Sequence, residues 1–270
     1  MVRQAYPILQ SKLDDPPWTL VNGFRLPGTG PIAPDDWLRV DDAFAEQMAL
    51  RDRLIAEMGE RVHITRPEAE TAAEEILHMA LEVLRTRSGY RVAPTHVTRP
   101  DGVEVKLDDL PPLATLGRLV QEDICLLQQQ GDEHALTAAC LCFPASWTLA
   151  EKIDRPLIGI HEPVTSYTGD IARRVQRLFD AIRVDRPLRR ANCLLYDDPT
   201  LFQPRMMAER RIKPKARAEY IRTERQCLLR LPNTNAVAFS IHTTVLARAN
   251  LPADQDLALQ AFLAQEDALT

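Results

Sequence analysis

The apolar pattern of this chain changes period near residue 116, and that change restricts the folds open to it. Upstream, Phe44, Met48, Leu54, Ile55 and Met58 recur at helical spacing behind Asp41 or Asp42 as a cap. A second stripe, Ala72, Ile76, Met79, Ala80, Val83 and Leu84, begins after Pro67, carries acids in its first turns and ends in basic residues before Gly89. Downstream, LGRLVQEDICLLQQ, a Gly131-Asp132 turn and HALTAACLCF predict a β-hairpin. A short helix from Ser146, a loop holding His161 and a helix over 169–183 follow, the last with Ile171, Val175, Leu178, Phe179 and Ile182 on one face. NCLLYD, residues 220–231 and AVAFSIHTTVLA are three further strands, the last two joined at Pro232-Asn233-Thr234-Asn235.

The order strand, strand, helices, strand, strand, strand predicts an α+β fold: a PAS-like five-stranded antiparallel sheet with crossover helices on one side and an N-terminal helical extension. The expected organisation is an arm and helical extension over 1–115, the core over 116–250 and a C-terminal tail over 251–270. Residues 1–40 are rich in Pro, Gly and Asp and read as an irregular arm, anchored by Trp18, Phe24 and Trp37.

Composition excludes several functions. A formal net charge of -5 argues against nucleic acid as a partner. The arginine-dense stretches 173–190 and 205–217 read instead as a solvated basic face or a docking patch for an acidic partner protein. Cys125, Cys140, Cys142, Cys193 and Cys227 are odd in number and form no CxxC, which fits reduced, buried thiols in a cytoplasmic protein. Cys140 and Cys142 share a strand face, where core packing explains them better than a metal pair. The N-terminus lacks a signal-peptide core and no apolar run approaches the ~20 residues of a membrane span, so a soluble protein is expected.

His161 lies in a proline-bounded apolar stretch with Leu157, Ile158, Ile160, Pro163 and Val164, and no second His or Cys stands at ligand spacing. That setting suits a single axial bond to a macrocycle iron, or alternatively a satisfied core histidine. His134, at the start of a strand, and His242 are weaker candidates. Strand alternation over 220–231 puts Arg222, Glu224 and Gln226 on one face and Thr223, Arg225 and Cys227 on the other. Such a strand can line a polar site or carry an ordinary salt-bridge ladder.

Four segments carry a family resemblance: WLRVDDAFAEQMALRDRLIAE, CFPASWTLAEKIDRPLIGIHEPV, NCLLYDDPTLFQP and RTERQCLLRLPNTNAVAFSIHT. On these, the chain resembles the haem-dependent oxidative N-demethylase family, whose haem subunit has a PAS-type core. The resemblance implies haem b and oxygen-dependent removal of a methyl group from a small secondary amine such as dimethylamine, releasing formaldehyde. Electrons would come through a separate flavin/iron–sulfur reductase. No Gly-rich dinucleotide fingerprint or cluster-binding cysteine run occurs in this chain, as expected of a haem-only subunit.

Within that resemblance His161 is the expected iron ligand. Arg225, then Arg222, is the expected donor to bound oxygen, with Glu224 holding the arginine or the amine. Lys152 pairs with a haem propionate or with Asp154, Tyr167 turns its hydroxyl to the pocket, and Trp147 packs beneath the crossover. Arg173 and Arg174 are alternative propionate partners. The chain departs from the family at Thr165-Ser166 and at LPGTG, which puts the dimethylamine specificity in doubt. The alternative functions are a haem-PAS gas sensor and a non-catalytic haem-binding or haem-free scaffold. No sensor output domain is visible in the sequence.

Overall fold

The computed structural model describes residues 4–19, 28–161, 169–209 and 218–269. It is an α+β fold built on a large antiparallel sheet. Its strands are β1 (Gly30–Pro31), β2 (His63–Thr65), β6 (Asp123–Gln130), β7 (Glu133–Cys140), β8 (Leu188–Tyr196), β9 (Tyr220–Arg230) and β10 (Val237–Ala247). A separate small sheet holds β3 (Arg91–Val92), β4 (His96–Thr98) and β5 (Glu104–Lys106). The helices are α1 (Phe44–Met58), α2 (Glu70–Arg85), α3 (Pro112–Gly117), α4 (Leu157–His161), α5 (Gly169–Ala181) and α6 (Ala253–Leu269).

The large sheet has seven strands rather than five, in the order β1-β8-β9-β10-β6-β7-β2. The five long strands are those expected from the alternation. The two additions are edge strands of two and three residues, too short for any period to reveal. Hairpins form at both ends, and β10 lies beside β6, so the last long strand closes against the first. Gly131 takes φ +62 in the first hairpin turn, where an L side chain would be strained.

Helices cover both faces, not one. Ile124, Leu126, Ala138, Cys140, Leu229 and Ala238 pack with α1, α2 and α3. Their neighbours Cys125, Leu127, Ala139, Leu228 and Val237 pack with Leu157 of α4 and with Phe179 and Ile182 around α5. A sheet buried on both sides loses clean polar alternation, which hid the second layer from a periodicity reading.

Four local expectations give way. Leu116 and Gly117 close α3, and the strand starts only at Asp123. The segment after Ser146 is a chain of turns. Ser146 and Asp154 have φ +66 and +63, which helical backbone excludes at either end. The stretch reaching His161 is helical, opened by a hydrogen bond from Ile160 N to Pro156 O at 2.9 Å. The C-terminal residues form α6, whose Leu259 and Phe262 pack with Cys193 and Ile221. Trp18 docks there too, donating from Nε1 to Gln255 at 2.9 Å, and Trp37 is buried in the main core, while Phe24 lies outside the described residues. All five cysteines are buried thiols outside any disulfide. Among the described residues no helix is long and apolar enough to cross a membrane.

Candidate functional site

The register of β9 against its neighbours separates two polar clusters. Asn192 of β8 and Thr243 of β10 sit opposite Glu224, and Arg190 sits opposite Gln226. These side chains share the sheet face that the α4–α5 crossover covers. Glu224, 6 % exposed, accepts from Asn192 Nδ2 at 3.0 Å and from Gln226 Nε2 at 2.9 Å on one carboxylate oxygen. Because a carboxylate only accepts, both amides must turn their nitrogens toward it and their oxygens away. Asn192 Oδ1, Gln226 Oε1 and Thr243 Oγ1 are then buried without a hydrogen-bond partner among the described residues.

Cations border this cluster. Arg190 faces Glu224, yet burial holds its pKa below the usual guanidinium value. Lys152 lies over the Trp147 ring, 4.7 Å from its centroid. Burial lowers its ammonium to about 8, against the raising charges of Cys125 and Glu151. It does not pair with Asp154, whose carboxylate is taken by Arg66 at 2.6 Å. Trp147 packs at the edge of the crossover-side apolar cluster.

Arg222 is almost wholly buried and holds loops together. Its Nη1 donates to Leu201 O at 3.1 Å and its Nη2 to Phe143 O at 2.5 Å, and Glu224 lies 3.7 Å away. Only its Nε is left over. Arg225, by contrast, points to the opposite face. Its Nη2 donates to Asp36 O at 2.6 Å and to Asp36 Oδ2 at 2.9 Å, which ties the N-terminal arm to the sheet. The alternation assigned these faces as the register has them, and Arg225, the expected donor to bound oxygen, lies on the face opposite the crossover. The chain segment covering its face is the arm, which has no period to place it.

The histidines separate as clearly. His242 is buried between Glu122 Oε1 and Asp41 Oδ2, each at 3.0 Å. Burial opposes its charge, but those two carboxylates raise it to about 9. His134 is held by Gln176, which donates to Nδ1 at 3.0 Å, and packs on Phe179. His242 is satisfied at both ring nitrogens, whereas Nε2 of His134 is buried with no hydrogen-bond partner among the described residues. His161 ends α4 on the crossover side, and its side chain lies outside the described residues, as does Tyr167. Arg173 and Arg174 are exposed on α5. Among the described residues no group of three or more His, Cys, Asp or Glu is placed to hold a metal ion.

Arg190, Asn192 and Thr243 escaped the sequence reading. LRRANCLLY does carry an alternation, but only pairing with β9 shows which of its residues meet Glu224.

On the crossover side Leu127, Leu136, Leu157, Phe179 and Leu228 pack in one buried apolar cluster, and Lys152 and Arg190 are its largely buried cations, a set whose chemistry matches an apolar ring system with a negatively charged edge. A haem has that character, so the residues present suit it. The chain is thus an α+β protein with a buried carboxylate on the crossover-covered face of its large sheet. The chain matches the family model described as haem-dependent oxidative N-demethylase, alpha subunit-like, over residues 28–265, and it belongs to that family.

Proposed function

We propose that this chain is the haem-binding subunit of an oxygen-dependent oxidative N-demethylase acting on a small secondary amine. One observation carries the reading: Glu224 is buried beside three acceptor oxygens that have no donor among the described residues. A secondary ammonium supplies one positive charge and two N–H donors, which is what such a site lacks. A ligand without N–H or O–H donors would leave the acceptors unpaired, at about 1–3 kcal/mol each.

In this reading the Glu224 carboxylate binds the ammonium, while Asn192 and Gln226 fix the carboxylate and offer their oxygens to the second N–H. Glu224 can also take the proton as the amine becomes neutral. Arg222 positions Glu224 and the loops at Phe143 and Leu201. Lys152 and Arg190 would hold the propionates, and Leu157 and Phe179 would keep water from the ring. The haem, type b, supplies when bound the iron that activates oxygen, with His161 as its ligand from α4. The net reaction takes dimethylamine, O2, two electrons and two protons to methylamine, formaldehyde and water. The electrons come from a separate flavin/iron–sulfur reductase, and an alpha-subunit-like family implies a partner subunit. The order of the five long strands supports a PAS-type core, and five buried thiols outside any disulfide support a cytoplasmic location.

The test is an absorption spectrum after haem supplementation, followed by oxygen uptake and formaldehyde release with dimethylamine and an artificial reductant. A Soret band lost in His161→Ala, and a KM for amine raised about ten- to a hundredfold in Glu224→Gln, are expected. No Soret band sinks the haem reading. A haem spectrum without amine turnover sinks the enzyme reading in favour of a sensor or binding protein.

A further inference from the structure

The polar cluster on the opposite face, where Arg225 lies, is a second site. A pocket of about 260 Å³ opens there between the N-terminal arm and β8, β9 and β10. It lies slightly below the roughly 300–1,000 Å³ of small-molecule sites. Arg39, Arg189 and Arg225 converge in it from the arm, β8 and β9, with Thr223, Thr244 and His242 behind them. What they converge on is a single oxygen. Asp15 Oδ2 lies 3.4 Å from Arg39, 3.0 Å from Arg189 and 3.7 Å from Arg225.

We propose that this pocket binds a phosphate monoester, with the Asp15 carboxylate as an internal, displaceable stand-in. Three observations carry the proposal. Arg225 is 9 % exposed, and its Nε faces Asp15 with no hydrogen-bond partner among the described residues. A buried donor left open on a pocket wall awaits a closer acceptor than Asp15 provides. Asp15 and Arg39 are themselves 42 % and 41 % exposed, so their pairing is of the weak, exchangeable surface kind.

The charge count points the same way. Of the pocket's other acids, Asp14 is paired with Lys12 and Asp41 with His242, while Asp42 accepts from the neutral Ser11 and keeps its charge. Asp36 bonds Arg39 and Arg225 at 3.0 and 2.9 Å. With Asp15 swung out, Arg39, Arg189, Arg190 and Arg225 stand against Asp36 and Asp42, an excess of two positive charges. A phosphate monoester carries about −1.5 to −2 at pH 7 and three acceptor oxygens, one for each of Arg39, Arg189 and Arg225. A monocarboxylate offers one charge and two oxygens, no more than Asp15 already gives. The two clusters lie on opposite faces of β9 and share only Arg190, and the variants that test this site, at Asp15, Arg39 and Arg189, leave the crossover-face residues untouched.

Calorimetric titration of the full chain with inorganic phosphate, glycerol 2-phosphate and acetate tests the proposal. Wild type should bind both phosphates and not acetate. Asp15→Asn should tighten phosphate at least about fivefold, because the stand-in no longer lowers the fraction of open sites. Arg189→Gln should weaken it about tenfold or more, and Arg39→Gln likewise. Circular dichroism melting confirms that each variant is folded. The proposal is overturned if neither wild type nor Asp15→Asn binds phosphate at millimolar concentration. It is equally overturned if Arg189→Gln and Arg39→Gln leave binding unchanged, or if acetate binds as well as phosphate.

Discussion

Two buried polar clusters, on opposite faces of the sheet, are completed to different degrees. On the α1–α3 face, Arg51 is fully buried, yet Nε donates to Gly117 O, Nη1 to Gln121 O and Asp123, and Nη2 to Glu122 O. Asp123 in turn accepts from the backbone of Cys142 and Phe143, at 2.7 and 2.8 Å. That network closes on itself and joins α1 to the start of the hairpin. On the crossover face, the Glu224 cluster ends in unpaired oxygens. Closed networks build a fold, and open ones are where a ligand completes the count.

Breaking a closed network should have the largest effect. Arg51→Ala leaves Asp123 charged and buried without its cation, and unfolding stability should fall by about 3–5 kcal/mol in urea titration. A change under 1 kcal/mol would show that the Arg51 network is not structural.

The His242 bridge should come next, and it is pH-dependent. The folded imidazole titrates at about 9, above its unfolded value of about 6.5. Its stabilisation is therefore fully present below about 6.5 and lost as pH rises through 9, by up to about 3 kcal/mol. Lys152 runs the other way. Its folded pKa of about 8 lies below the unfolded value of about 10.4, so raising pH relieves its burial cost. The difference between wild type and His242→Asn isolates the bridge: thermal melts should lose much of their alkaline decline in the variant. An equal decline in both assigns the pH dependence to other groups.

How much of this was legible follows from where the information sits. The five long strands, the two N-terminal helices and the face assignment along β9 depend on local period, and period is written in the residues themselves. The meaning of Arg225 depends on Asp15 and Asp36, far away in an arm without period. His242 likewise means little until Asp41 and Glu122 arrive from two other segments. The segment around Trp147 carries a helical spacing that positive φ at Ser146 overrides. Family membership was readable from four segments, but the acceptor-rich setting of Glu224 required the register of β8 and β10.

A smaller effect tests how tightly the closed face is packed. A Cβ on Gly117 would collide with Cys140 Sγ and lie 3.1 Å from Ile55 Cδ1. Gly117→Ala should therefore cost about 1–3 kcal/mol despite alanine's better helix propensity. A neutral result in the same urea titration would mean that α3 can move off β7.

The open face should respond with the opposite sign. Thr243 Oγ1 is buried beneath the crossover with no hydrogen-bond partner among the described residues, and Thr243→Val removes it with almost no change of shape. Burying an unpaired hydroxyl costs about 1–3 kcal/mol, and valine suits a strand, so the ligand-free protein should gain roughly 1 kcal/mol by calorimetry. The same substitution should weaken binding of whatever completes that face, so the gain should shrink or reverse when haem and amine are supplied. If Thr243→Val destabilises the ligand-free protein as Arg51→Ala does, the Glu224 cluster is as closed as the Arg51 network. The distinction between a network that builds the fold and a cluster that awaits a ligand would then be lost.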